Sequence, residues 1–309
     1  MSSSPTRTLW NLIVATALLT ACAPSDEAGE SAATMEPMVV EVTAKDFDFE
    51  LPRQIPSGWV TVRLENTGEQ EHFLYVYRLP DDVTFQQFRE EAMGAFGRVW
   101  NAYATGELDR AEAEAAFAEE LPEYFFTDLT PSGGVALTEP GETAQSTLYL
   151  EPGTYVVECY VKTPQGTYHT ERGMQKQLTV TEAASDAPEP QADVRITLSN
   201  YEIAVEGELG AGTHTVAVHV ADTPEGFMAH DLNLIRLDEG TSLDEVVAWM
   251  DWMNLDQFRA PAPGYSLGGV EHMAAGKTAY MTVELVPGRY AWVSEAYGSR
   301  GMVREFTVE

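Results

Sequence analysis

The chain has 309 residues, with 49 acidic against 18 basic side chains and a formal net charge of −31 at neutral pH. Such a surface argues against nucleic acid or an anionic bilayer as a direct partner, and suits a basic protein partner as well as plain solubility. The length suggests about two domains, and no basic cluster or phosphate-cradling glycine loop is present.

Residues 1–22 carry one charge, Arg7, then an apolar run from Leu9 to Leu19, then Leu19-Thr20-Ala21-Cys22. A charge, a short apolar core and small residues before a cleavage point describe an export signal, and the apolar run is too short to span a bilayer stably. A cysteine directly after Leu-Thr-Ala resembles the lipobox of bacterial lipoproteins, in which Cys22 becomes the acylated first residue. Residues 23–36 then read as an acidic flexible tether. The expectation is an exported protein, lipid-anchored at Cys22 to a membrane facing the periplasm or the cell exterior. With Cys22 acylated, Cys159 is the only thiol left in an oxidising compartment, expected to be a buried bystander, a reactive group or a metal ligand.

Beyond the tether the same signals occur twice in one order. Val39-Val40-Glu41-Val42 and Val194-Arg195-Ile196-Thr197-Leu198 alternate as half-buried strands. Gly58-Trp59-Val60 matches Gly212-Thr213-His214, and His72 stands before Arg78-Leu79 as His230 stands before Arg236-Leu237. Gly133-Gly134-Val135 returns as Gly268-Gly269-Val270, Pro152-Gly153-Thr154-Tyr155 as Pro287-Gly288-Arg289-Tyr290, and Arg172-Gly173-Met174 as Arg300-Gly301-Met302. This is read as a duplication, with domains at 37–182 and 194–309 joined by a linker at 183–193. Short alternating strands punctuated by Gly and Pro predict an all-β chain with an antiparallel sandwich in each half. Each half also has a helical insertion. In the first, Phe85, Phe88, Ala92, Phe96, Val99 and Tyr103 recur at helical spacing up to Gly106, and a second helix runs from Asp109 to Leu121 before Pro122. In the second, Ser242 and Glu245 form a capping box ahead of Leu243, Val246, Val247 and Met250. These stripes are expected to pack as core on the sandwiches.

In the first half, Tyr155, Val157 and Cys159 alternate and so share one strand face, and His72 leads a strand on the face of Leu74 and Val76. His169 and Met174 follow Cys159 in the loop to the last strand. Two imidazoles, a thiolate and a thioether form a ligand set for copper: the sulfurs favour Cu(I) and imidazole suits either oxidation state. Glu65-Asn66-Thr67-Gly68 before His72, then Gly153-Thr154-Tyr155-Val156-Val157-Glu158-Cys159, His169 and Met174, resembles the cupredoxin pattern. The resemblance implies a Greek-key β-sandwich in each half, one mononuclear copper on His72, Cys159, His169 and Met174, and one-electron transfer. The Cys159-to-His169 step is longer than in plastocyanin and azurin, and Thr163-Pro164-Gln165-Gly166 is a turn that could absorb the excess as a hairpin. Phe73 stands where many family members carry Asn.

In the second half, counting from the matching signals puts Ser294 in place of Cys159 and Tyr297 in place of His169, while His230 and Met302 persist. Neutral Ser and Tyr are poor copper ligands, so this site is expected to be degenerate and not to bind. His214 and His219 fall on opposite faces of one strand and His272 is read as a loop residue; none is counted as a ligand. An electron carrier is the leading reading; copper storage or delivery, and a metal-free binding or assembly scaffold, stand beside it. Oxidase or reductase chemistry is not expected, because the only two histidines of the first half are already used.

Overall fold

The computed structural model describes residues 38–226 and 228–309. The signal and Cys22 at residues 1–22, and the tether at 23–36, lie outside the described residues. The first half runs β1 (Val39–Lys45), β2 (Asp48–Glu50), β3 (Gln54–Asn66) and β4 (His72–Arg78), then α1 (Phe85–Ala104), α2 (Arg110–Glu120) and α3 (Glu123–Thr127). It closes with β5 (Thr130–Thr138), β6 (Thr143–Leu150), β7 (Gly153–Glu158) and β8 (Gln175–Ala184). The second half runs β9 (Val194–Ser199), β10 (Glu202–Glu206), β11 (Gly212–Val220), β12 (His230–Arg236) and α4 (Leu243–Trp249). It ends with β13 (Tyr265–Met273), β14 (Thr278–Leu285), β15 (Gly288–Val293) and β16 (Val303–Val308).

Burial follows the sequence pattern strand by strand. On β1, Val40, Val42 and Ala44 point inward while Glu41 and Lys45 face water, the period of a strand covered on one face. By contrast β4 is buried from His72 through Tyr77, because α1 covers its outer side: Tyr77 meets Phe88 at 5.6 Å between ring centroids. The Thr84 hydroxyl accepts the Gln87 N–H at 3.1 Å to start α1, and a capping box of Asp109 and Glu112 starts α2. The stripe of α1 buries Phe88, Ala92 and Val99, and Phe96 continues onto Phe117 of α2 at 5.0 Å. The short α3 was not foreseen.

Pairing is mixed, where the strand pattern predicted antiparallel sandwiches. β3 begins beside β8, with Gln54 opposite Thr179, then passes to the other sheet and runs parallel to β1, with Val39 opposite Thr61. The short β2 first reverses the chain against β1, with Thr43 opposite Glu50, so β3 returns in the direction of β1. The second half repeats this: Val194 of β9 lies parallel to Val216 of β11. Other registers also recur, Gly58 opposite Leu150 and Gly212 opposite Leu285, Arg78 opposite Tyr155 and Arg236 opposite Tyr290.

The halves join through both sheets. β5 pairs with β13, Val135 opposite Val270, and β6 pairs with β14, Ser146 opposite Met281. Val135 and Val270 each follow the Gly-Gly of their own half, and Ser146 and Met281 each precede the matched Leu150 and Leu285 by the same step. Each of these residues therefore faces its own counterpart, as across a two-fold axis. The second glycine of each repeated Gly-Gly, which lies on this junction, is required by the neighbouring strand of its own half. A Cβ on Gly134 would meet Leu74 O at 1.8 Å and one on Gly269 would meet Leu232 O at 2.0 Å, at φ of +148° and +142°, where only glycine is at ease. The described residues form one compact unit.

Candidate metal centre

β4 opens with His72, and its partner β7, with Tyr75 opposite Glu158, ends one residue before Cys159. Strand pairing thus sets the first two donors on adjacent chains. The connection to β8 folds back on itself: Thr163 N–H donates to Thr167 O at 2.8 Å and Gly166 N–H to Thr163 O at 2.8 Å, below a bridge between Lys162 and Tyr168. The turn expected at Thr163–Gly166 is the tip of this hairpin, and it absorbs the long interval between Cys159 and His169. His169 N–H donates to Val161 O at 2.8 Å, Met174 N–H to His169 O at 3.0 Å and Cys159 N–H to Met174 O at 3.2 Å. These three bonds draw the loop residues around the thiol.

His72, Cys159 and His169 converge, and all three, with Met174, are withdrawn from solvent. Cys159 Sγ lies 3.7 Å from His72 Nδ1 and 3.6 Å from His169 Nδ1. The opposite nitrogens are held: His72 Nε2 donates to Asp46 Oδ1 at 2.7 Å and His169 Nε2 to Gln70 Oε1 at 3.3 Å. With the hydrogens on Nε2, each imidazole turns its Nδ1 lone pair toward the sulfur, the arrangement that second-sphere acceptors impose on metal-binding histidines. Phe47 packs on His169 at 4.8 Å, and Phe73 on Tyr160 at 4.6 Å. Without a cation the site is neutral: burial pushes the Cys159 thiol up, and burial together with His72 pulls His169 down to about 3. Burial likewise lowers His72, against the opposing pull of Asp46. One soft anionic sulfur, two imidazoles with preset lone pairs and an adjacent thioether fit a single copper ion, which would take the thiol proton's place.

The second half repeats the backbone of this site without its chemistry. Ser294 N–H donates to Met302 O at 3.0 Å and Met302 N–H to Tyr297 O at 3.1 Å, the counterparts of the Cys159 and Met174 bonds. Ser294 Oγ donates to Asp231 Oδ1 at 2.6 Å, and the Tyr297 hydroxyl is taken by Met228 O. Asp231 stands where Phe73 stands in the first half, directly after the histidine, and also accepts the Glu295 N–H at 2.8 Å. His230 Nε2 lies 3.0 Å from Asp222 Oδ1, while its buried Nδ1 has no partner.

Sequence reasoning missed Asp46 and Gln70, which no spacing rule connects to His72 and His169. It also misplaced His272, which is not in a loop but in β13, fully buried beside Glu271 and Glu295. The Gly-Gly-Val motif preceding it was a usable signal, since it places His272 on a central strand. Burial pushes both carboxyls well above the usual range, aided by Asp231 and Glu158 at Glu271 and by Glu271 and Asp231 at Glu295.

Fold and site together define a β-rich protein with a buried His–Cys–His–Met cluster. No protein-family model and no curated protein matches the chain. Among solved structures, reduced auracyanin from Roseiflexus castenholzii shares 23% identity over 47% of this chain and 97% of its own, with a TM-score of 0.27. Auracyanin A, a blue copper protein from Chloroflexus aurantiacus, shares 19% identity over 47% of this chain and 100% of its own, with a TM-score of 0.28. A multicopper oxidase shares 12% identity over 88% of both chains, with a TM-score of 0.24. These are likenesses alone; what this chain can hold rests on the donors described above.

Proposed function

We propose that this chain is a lipid-anchored, cupredoxin-like protein that holds one copper ion on His72, Cys159, His169 and Met174 and passes single electrons. The observation that carries the reading is the presentation of both Nδ1 lone pairs to one buried thiol, with Nε2 of each ring already satisfied. Copper bound there would supply a one-electron couple suited to both oxidation states. The protein's part is to hold the donors in place: Asp46 and Gln70 lock the rings, and the hairpin above Cys159 ties His169 and Met174 to the strand ends. Full burial of the four side chains favours electron exchange over copper delivery, because an electron can pass a closed shell that a departing ion must open. The net charge of −31 suits a basic redox partner, and the second half is an internal copy kept as a scaffold.

Optical and EPR spectra of the copper-loaded chain test the reading. A thiolate-to-Cu(II) charge-transfer band is expected, and its absence from fully loaded protein refutes electron transfer and leaves the storage or scaffold readings. Mass spectrometry of the native protein is expected to show acylated Cys22 at the N-terminus; any other start refutes the anchor.

A further inference from the structure

Glu271, His272 and Glu295 lie together beside the junction of the two halves, and their ligand atoms fall within 4.8 Å of one another. β13 supplies the first two, and Glu295 follows Ser294 just beyond β15. His272 Nδ1 donates to Ala229 O at 2.9 Å; a carbonyl can only accept, so the hydrogen is on Nδ1 and Nε2 presents a lone pair. That lone pair faces Glu271 Oε2 and Glu295 Oε2, each at 3.8 Å. Tyr160 Oη stands 2.9 Å from the same nitrogen and 3.1 and 3.2 Å from the two Glu295 oxygens.

Without a cation, burial favours the protonated form of the Glu271 and Glu295 carboxyls, and their hydrogens are the ones a cation would displace. Tyr160 has one to give, and the acceptors around it are His272 Nε2 and both oxygens of Glu295. Glu271 Oε2, fully buried, has no hydrogen-bond partner. An orphaned buried carboxyl oxygen is costly, and more so when charged. A cation in place of those protons would engage Glu271 Oε2, Glu295 and the His272 Nε2 lone pair at once. Donors about 2.1 Å from a first-row divalent ion stand roughly 3–3.5 Å apart, so the 3.8 Å spacings need to contract only slightly. We infer that Glu271, His272 and Glu295 form a second, carboxylate–histidine site for a divalent first-row cation, with Tyr160 hydrogen-bonded at its edge. Two hard oxygens and one imidazole select Mn(II), Fe(II) or Zn(II) over Cu(I), the reverse of the preference at Cys159. Tyr160 and Ala229 also line a cavity of about 360 Å³ walled by Tyr75, Met228 and Met273. Tyr160 directly follows Cys159, so the two centres are joined through one peptide bond.

Mn(II) is the probe, because a thiolate–thioether site does not favour it. Titration of the intact mature chain at 0.15 M salt, following the six-line EPR signal of free Mn(II), is expected to show one equivalent bound. Glu271→Gln and Glu295→Gln preserve size and are each expected to weaken binding at least about tenfold. Cys159→Ser is expected to leave it unchanged, so failure of the copper reading does not touch this one. The Mn(II)-dependent rise in melting temperature gives a second readout, and it is expected in wild type and lost in both glutamine variants. Absence of a stoichiometric site in folded wild-type protein, or binding that both glutamine variants retain in full, overturns the inference and leaves a proton-sharing network.

Discussion

Replacing Lys162 with methionine cuts a cationic tie between the ligand hairpin and the second half. Lys162 is fully buried, and its ammonium donates to Trp252 O at 2.7 Å, Asn254 O at 2.8 Å and Gln257 O at 3.1 Å. Its charge also lies over the Trp100 ring at 4.8 Å. Loss of three charge-assisted hydrogen bonds costs about 1.5–3 kcal/mol each, although Trp252 O keeps the Tyr168 hydroxyl and Asn254 O keeps the Gln257 N–H, and removal of a buried charge returns several kcal/mol of desolvation, for a net loss of about 1–3 kcal/mol near neutral pH. At about 2–4 °C per kcal/mol for a chain of this size, the apo melting temperature is expected to fall by roughly 2–12 °C. The pH dependence is the sharper test. Burial, aided by Arg259, pulls Lys162 from 10.5 down to about 7. Between those values the unfolded chain holds the proton and the folded chain does not, so stability owed to the amine rises with pH and is lost as pH falls through 7. The methionine variant lacks this term. The gap between the two proteins in urea unfolding is therefore expected to widen by up to about 1.4 kcal/mol per pH unit between neutral and about pH 9.5. Contributions from other titrating groups cancel in that difference. A gap that stays constant or narrows refutes the reasoning.

Cys159→Ser is expected to abolish the visible charge-transfer band while the apo chain stays folded, at a cost of about 1–3 kcal/mol for a buried hydroxyl lacking the carboxylate that Ser294 has in Asp231; a persistent band rules out Cys159 as the ligand. Met174→Leu is expected to keep the band and shift its energy and the reduction potential, whereas His72→Ala and His169→Ala weaken copper binding much more; equal losses in all three would contradict a merely tuning role for the thioether. Gly269→Ala is expected to lose about 2–4 kcal/mol or to misfold, since its Cβ meets Leu232 O at 2.0 Å, while Gly276→Ala, with open space around its Cβ, loses about 1–2 kcal/mol from backbone strain alone; denaturant melts that rank them the other way would refute the steric argument. Residues 37–182 expressed alone expose the edges of β5 and β6, and are expected to dimerise by pairing Val135 with Val135 and Ser146 with Ser146 of a second copy, as the two halves do now; a stable monomer by light scattering counts against it.

Much of this protein was legible without coordinates, wherever the determining forces are local. Alternation in Val39–Val42 marks a half-buried strand because successive side chains point to opposite faces, and the stripe from Phe85 to Tyr103 marks α1 because helical neighbours recur every three to four residues. The ligand candidates were legible too, since His72, Cys159, His169 and Met174 each sit at a strand end or in one loop, and the hairpin tip at Thr163–Gly166 is written in turn-forming residues. Tertiary structure decided what depends on pairing between distant segments. Nothing local says that β5 finds β13 or β6 finds β14, because edge strands carry unpaired backbone groups that many partners can satisfy. Asp46 and Gln70 become ring-locking acceptors only once β1, β3 and β4 are assembled. Glu271, His272 and Glu295 looked like unrelated residues in the chain; the fold buries them together, and low dielectric makes any lone pair left unmet among them costly.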